Sequence, residues 1–386
     1  TRLVGSEMCI RDSIQGISEV KSYNLIGKQT KRLNAANEAC VRANVKMELA
    51  YVPYHFLQSV VTKLTGAAII GLSAYFYING SMSVLYAVGM SIAAFMLYGG
   101  LETMGTFSSL IHVVSVCVDK ANVVLGLDTM DIDGKELNPE NHDIEVKNIE
   151  FSYDKRKIID GISLTIPEKT TTAIVGPSGG GKTTLCNLIA RFWDVDSGEI
   201  TLGGTNVKDY SMNSLMNNFS FVFQNVYLFA DTIENNIKFG RPEATHEEVV
   251  EAAKKACCHD FISKLPDGYN TVIGEGGATL SGGEKQRISI ARAIMKDSPI
   301  IILDEATANV DPENEKELTL AVDALTKEKT IIMIAHRLKT VRHADQIVVV
   351  DQGRIAQKGT HEELMKQDGI YRRFVDSREL AVSWKI

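Results

Sequence analysis

The chain has 386 residues, 45% of them apolar, with 41 basic and 48 acidic side chains for a net charge of −7. That length allows two or three domains with a folded core, and the acidic balance gives no reason to expect a nucleic-acid partner. Its six cysteines (Cys9, Cys40, Cys117, Cys186, Cys257 and Cys258) include no C-x-x-C spacing, which excludes a disulfide framework or a zinc site and suits a reducing compartment.

Residues 1–12 show neither a clear period nor an initiator Met, as expected of a truncated or non-native start, and no signal-peptide pattern. From Ile14 to about Met47 the pattern is helical and basic, with Lys21, Lys28, Lys31, Arg32, Arg42 and Lys46 among apolar positions. Leu64 to Leu101 contains no charged residue. Interrupted at Asn79-Gly80-Ser81, it predicts two membrane helices, about 60–80 and 82–101, with that tripeptide as the tip. Gly66, Gly71, Gly89, Gly99 and Gly100 suit close helix packing in lipid, and Tyr51, Tyr54, Tyr75, Tyr77 and Tyr98 fall near the expected interfaces. The alternative is a buried helical hairpin of a soluble protein. The basic segment before the hairpin places both its ends in the cytoplasm. A helix then continues to about Met130, and the polar stretch 131–142 reads as a linker.

Beyond the linker, Ile144 to Tyr153 and Ile158 to Ile166 alternate as strands do. A buried strand, Thr171 to Val175, runs into Gly176-Pro177-Ser178-Gly179-Gly180-Gly181-Lys182-Thr183-Thr184 and then into a helix. This is a G-x-x-x-x-G-K-T phosphate loop in its required strand–loop–helix context. Its glycines bring backbone N–H groups against phosphate oxygens, Lys182 reaches the outer phosphates, and Thr183 offers a hydroxyl to Mg²⁺. Further on come a short strand at Gly198–Leu202, a strand Phe219–Phe223 ending at Gln224, and a helix over Thr245–Leu265. The apolar strand Ile300–Leu303 ends in Asp304-Glu305, the strand Thr330–Ala335 ends in His336, and a hairpin turns at Gln352-Gly353. Strands alternating with helices predict a doubly wound α/β sheet, which binds ligands at the carboxyl ends of its strands.

Several groups stand at such ends. Asp304 is placed to hold Mg²⁺ and Glu305 to polarise a water. Gln224 can reach the metal or that water, and His336 a γ-phosphate oxygen. Ser281-Gly282-Gly283 opens a helix through Ile294, a second anion-ready terminus that makes sense if it serves another chain's nucleotide. An ordinary capped helix is the plainer alternative there.

In this order, residues 143–376 resemble the nucleotide-binding domain of the ATP-binding cassette (ABC) superfamily. Gly176–Thr184 matches Walker A, Phe223-Gln224-Asn225 the Q-loop, Leu280–Glu284 the signature, Ile300–Asp304 Walker B, Ala308–Asp311 the D-loop and His336 the switch histidine. Thr271–Gly277 and the fused hairpin resemble exporter-type half-transporters. The resemblance implies an α/β P-loop NTPase with a helical signature subdomain, preceded by an all-α transmembrane region of the exporter type. Residues 1–130 would be the C-terminal part of that region, about four membrane helices being absent, and 377–386 a tail.

It implies an ATPase with Glu305, His336 and Gln224 as catalytic residues. ATP would be held by Tyr153 (stacked on adenine), Gly176, Ser178, Gly179, Gly180, Gly181, Lys182, Thr183 and Thr184, and by Ser281, Gly282 and Gly283. Mg²⁺ would be held by Thr183, Gln224 and Asp304. It implies export across the plasma membrane by a homo- or heterodimer among membrane lipids, with the nucleotide-binding domain in the cytoplasm. An exporter-shaped importer of metal-chelator complexes and an ATP-binding regulatory partner are the alternatives. The D-loop departs from the family at Ala308-Asn309, where Ser-Ala is commoner, and the signature ends in Glu284 where Gln is frequent.

Overall fold

The computed structural model describes residue 22 and residues 30–127, 130, 133–154, 156–274, 280–304, 312–335 and 341–383. The chain divides into two compact units, Thr1–Asp128 and Thr129–Ile386.

In the first unit a helix α1 (Thr30–Ile78) and a helix α2 (Val84–Leu125) flank a turn at Asn79–Ser83. Asn79, Gly80 and Ser81 donate to the carbonyls of Tyr75, Tyr77 and Phe76, each at 3.0 Å, with Gly80 at φ +70°, so the predicted tip closes the hairpin. Within α1, residues Asn37–Ile78 are long and apolar enough to cross a membrane, with a window of mean hydropathy 1.3 of which only 11% is buried. A soluble helical hairpin buries its apolar side chains; here Leu72, Tyr75, Ile78, Leu85, Tyr86 and Met96 are exposed. Ser73, Ser91 and Thr65 turn their hydroxyls onto carbonyls four residues back, which satisfies them without water.

The described residues of the second unit form ten strands: β1 (Ile144–Tyr153), β2 (Arg156–Ile166), β3 (Thr171–Val175), β4 (Ser197–Leu202), β5 (Thr205–Asn206), β6 (Phe219–Val222), β7 (Ile300–Asp304), β8 (Thr330–Ile334), β9 (Gln346–Asp351) and β10 (Arg354–Gly359). The longer helices among its described residues are α3 (Lys182–Ile189), α4 (Ile233–Lys238), α5 (His246–Lys255), α6 (Gly282–Lys296), α7 (Pro312–Thr326) and α8 (Ile370–Ser383). A six-stranded sheet runs β10-β9-β3-β8-β7-β6, parallel except for the β9–β10 hairpin. Its inner strands β3, β7, β8 and β9 are apolar almost throughout because both faces are covered, whereas the edge strand β10 alternates exposed and half-buried residues. Ala173, Val175, Ile301, Leu303, Ile347 and Val349 enter a core with α4–α8, while Ile174, Ile300, Ile302, Val348 and Val350 enter a second core with α3.

That second core also contains a separate antiparallel sheet, β2-β1-β4-β5, which the alternation of β1 and β2 signalled only as isolated strands. Two sequence expectations are corrected. The strand at Phe219 ends at Val222, leaving Phe223 outside the ladder. The helix expected over Thr245–Leu265 is two, α5 and a single turn at His259–Ile262. The break is a Schellman turn: Cys257 takes φ +53°, its N–H bonds Lys254 O at 3.0 Å, and Cys258 N–H bonds Ala253 O at 2.8 Å. Cysteine is not a residue that announces a left-handed cap, so the apolar pattern runs through it without a visible break.

Residues 133–142 are docked onto this unit rather than loose. Lys135 exchanges backbone bonds with Asp209 and Ser211, both at 2.7 Å, and the Ser214 hydroxyl accepts from Leu137 N–H at 3.1 Å while donating to Leu137 O at 2.7 Å. At Gly134 any Cβ would strike the Tyr210 carbonyl. Because a left-handed non-glycine residue is disfavoured by about 1 kcal/mol, Cys257→Gly is expected to raise stability by up to that amount. Urea unfolding of the two chains, compared at equal slope, measures it.

Candidate nucleotide site

Strand register sets the site. Ile174 of β3 is level with Ile334 of β8, Ile334 with Asp304 of β7, and Leu303 with Val222 of β6. Four parallel strands therefore end at one level. The phosphate loop leaves β3 two residues past it, Gln224 stands two residues past the end of β6, and Asp304 closes β7.

The loop's shape requires glycine at two points. Gly176 has φ +142°, and a Cβ there would collide with the Val350 carbonyl. Gly181 has φ +105°, with Ile159 Cδ1 at 3.0 Å and Ile158 O at 3.2 Å from any Cβ. The hairpin turn at Gln352-Gly353 buttresses the loop, Gly353 N–H bonding Gly180 O at 3.1 Å. Gly181 is the N-cap of α3, so that helix presents its first turn to the loop without a side-chain cap. The Lys182 ammonium is folded into the loop, donating to the Gly176 and Pro177 carbonyls at 3.0 and 2.9 Å, and its side chain is buried. Ser178, Gly179 and Thr183 are exposed and Thr184 is half-buried.

Burial, with the Asp304 carboxylate adding to it, raises the pKa of the Cys186 thiol far above its ordinary value. Cys186 lies three residues after Thr183, on the same face of α3. The acid ending β7 is thus close enough to act electrostatically on the helix that carries Thr183. A hydroxyl, a carboxylate and the amide oxygen of Gln224 are hard oxygen donors, a set that suits Mg²⁺ completed by phosphates. Among the described residues no group of three or more His, Cys, Asp or Glu could hold a metal by itself.

Tyr153, at the end of β1, meets Phe151 and Trp193 edge-on, with centroids 4.8 and 5.5 Å apart. Trp193 was not picked out from sequence; its signal was a large exposed aromatic just after a ligand-bearing helix. Ser281 caps α6 in a full capping box: its hydroxyl accepts from Glu284 N–H at 3.3 Å, and its own O–H and N–H meet Glu284 Oε2 at 2.8 Å. Gly282 is exposed and Gly283 buried. Glu305, His336 and the D-loop stretch 308–311 lie outside the described residues.

A glycine-shaped loop with its lysine, at the carboxyl edge of a parallel sheet, defines a phosphate-loop nucleotide-binding domain. Residues 159–308 match the family described as ABC transporter. An ATP-dependent lipid A-core flippase of Desulfotalea psychrophila is 39% identical over 369 residues, covering 94% of this chain and 64% of the flippase. A Staphylococcus aureus protein named for multidrug export, of ATP-binding/permease type, is 39% identical over 389 residues, covering 96% of this chain and 65% of its own. The structure of a bacterial Atm1-family ABC exporter with ATP bound superposes with a TM-score of 0.85 at 33% identity, covering 96% and 65% of the two chains. The chain therefore carries the ABC transporter domain over residues 159–308 and is similar, along nearly all of its length, to proteins named for ATP-dependent flipping or export. It has the ABC exporter fold, and spans less than two thirds of the length of these relatives.

Gly181→Ala adds a methyl group where neither φ nor space allows it, and should weaken nucleotide binding at least about tenfold with the fold retained. Calorimetric ATP titration alongside circular dichroism checks this. Glu284→Gln keeps the cap but removes a negative charge beside the Ser281 hydroxyl. Half-saturation of the ATPase by ATP is expected to fall about two- to fivefold.

Proposed function

We propose that this chain is the nucleotide-hydrolysing and membrane-hairpin portion of a dimeric ABC exporter, driving a substrate across the plasma membrane with energy from ATP. The observation that carries the reading is the presence, in one chain, of an exposed apolar hairpin and a complete phosphate loop with Asp304 aligned to it. Lys182 and the loop amides hold the β- and γ-phosphates, and Tyr153 stacks on adenine. Ser281, Gly282 and Gly283 of a second half-transporter close over the γ-phosphate from the opposite side, since a second anion-ready terminus in one domain is otherwise redundant.

Thr183, Asp304 and Gln224 are the residues that would hold Mg²⁺, which when bound neutralises charge developing on the β- and γ-phosphate oxygens. Glu305 accepts a hydrogen bond from the attacking water and draws its proton away, and His336 donates to a γ-oxygen to keep phosphate and water in line. Gln224 turns its amide to the same water. Hydrolysis removes the γ-phosphate that both halves grip, and the dimer opens because the closed state binds ADP less tightly than ATP. The hairpin crosses the membrane with both ends in the cytoplasm, among lipids, and moves with the dimer. The exporting relatives favour outward transport over the importer reading. An ATP-binding partner without turnover is disfavoured by Glu305, which such a partner does not need.

The test uses the whole chain in lipid nanodiscs. Mg²⁺-dependent ATP hydrolysis should fall at least about a hundredfold on Glu305→Gln, and the variant should be trapped by ATP, not ADP, as a closed dimer seen by light scattering. A monomer in both nucleotides, with ATP binding shown separately, would exclude the homodimer and leave a different partner chain. No ATP binding at all would sink the reading.

A further inference from the structure

The helix α6 starts at the anion-ready terminus, yet three of its later polar side chains reach away from it, toward β6 and the chain that leaves β6. Lys296 donates to the carbonyls of Met216 and Phe219, at 2.8 and 2.6 Å, gripping the start of the strand. Arg292 donates from Nε to Asn236 O at 2.6 Å and from Nη1 to Tyr227 O at 2.7 Å, and its Nη2 reaches Asn236 Oδ1. Its guanidinium lies 5.7 Å from the ring centroids of both Phe229 and Phe239. Asn236 passes the grip on, accepting from Phe229 N–H at 2.9 Å and donating to Phe229 O at 3.0 Å and Thr232 O at 2.9 Å.

Between these grips stands Gln286, with 6% of its surface exposed. Its Nε2 donates to the Phe223 carbonyl at 3.3 Å. That carbonyl and the Gln224 N–H belong to one planar peptide. A hydrogen bond to the carbonyl therefore sets the rotation of the plane from which Gln224 departs, while Arg292 fixes the chain again at Tyr227.

We propose that Gln286 is a positioning residue for Gln224: it holds the Phe223–Gln224 peptide so that the Gln224 side chain is presented at the level of Asp304. The assignment rests on the proposed reading of Gln224 as a ligand of Mg²⁺ and of the attacking water. It also means that Gln224 travels with α6, so any shift of that helix relative to the phosphate loop carries the Gln224 amide with it.

Gln286→Met keeps length and burial but loses the donor, and Gln286→Glu keeps the shape with an acceptor in the donor's place. Both are made in the whole chain, with and without Gln224→Ala, and thermal unfolding identifies a variant that does not fold. With Gln224 present, either should lower kcat and raise the Mg²⁺ half-saturation by about fivefold, and reduce by a similar factor the tightening of ADP binding that Mg²⁺ brings in calorimetry. Binding of ADP without Mg²⁺ should not change. In the Gln224→Ala chain the same substitutions should have no further effect, because their route is gone. Equal losses with and without Gln224, or an unchanged Mg²⁺ dependence in both readouts, would overturn the proposal and reduce Gln286 to packing. If Gln224→Ala alone alters neither turnover nor the Mg²⁺ effect, the assigned role of Gln224 has failed, and the role of Gln286 with it.

Discussion

Everything at the nucleotide site depends on the register of one parallel sheet. A ladder that pairs Ile174 with Ile334, Ile334 with Asp304 and Leu303 with Val222 leaves four strand ends at one height. Slip any strand by one residue and its apolar set would exchange cores, Ala173 and Val175 trading places with Ile174. Two cores, one on each face, forbid that slip. Packing thus fixes where the phosphate loop, Asp304 and Gln224 stand, and the polar groups inherit positions chosen by burial.

Around that edge the loop is held by shape more than by bonds of its own. Gly176 leaves room for the Val350 carbonyl, Gly181 for Ile158 and Ile159, and the turn at Gly353 closes onto Gly180. The Lys182 ammonium bonds the loop's own carbonyls, which keeps a buried charge paired. At the other helix terminus the Glu284 carboxylate occupies the donors at Ser281. The two termini thus differ: the start of α6 is closed by its own capping box, while the start of α3 carries no side-chain cap.

What the sequence revealed and what it hid divide along range. The phosphate loop is legible because its glycines and lysine act within nine residues, and the box at Ser281–Glu284 because a cap and its third residue make a local signature. The hairpin is legible because absence of charge needs no partner to be noticed. The separate antiparallel sheet was not, since β1 must find β4 some fifty residues away, across the phosphate loop and α3. The docking of Leu137 on Ser214 spans 77 residues and the hold of Gln286 on Phe223 spans 63, and a serine or glutamine does not advertise which distant carbonyl it will meet. The break at Cys257 escaped for a local reason, a left-handed cap made by a residue that rarely supplies one.

The aromatic corner at Tyr153 has an optical consequence. The chain has two tryptophans, and one of them, Trp193, stands edge-on against Tyr153 at the rim of the nucleotide site while half of its surface remains open to solvent. An indole so placed would serve as a native chromophore for the proposed adenine contact: a purine stacked on Tyr153 would change the polarity and the ring packing that set its emission. If the proposed stacking on Tyr153 holds, Trp193 is a built-in reporter of occupancy, and no label need be attached to follow nucleotide arrival in real time.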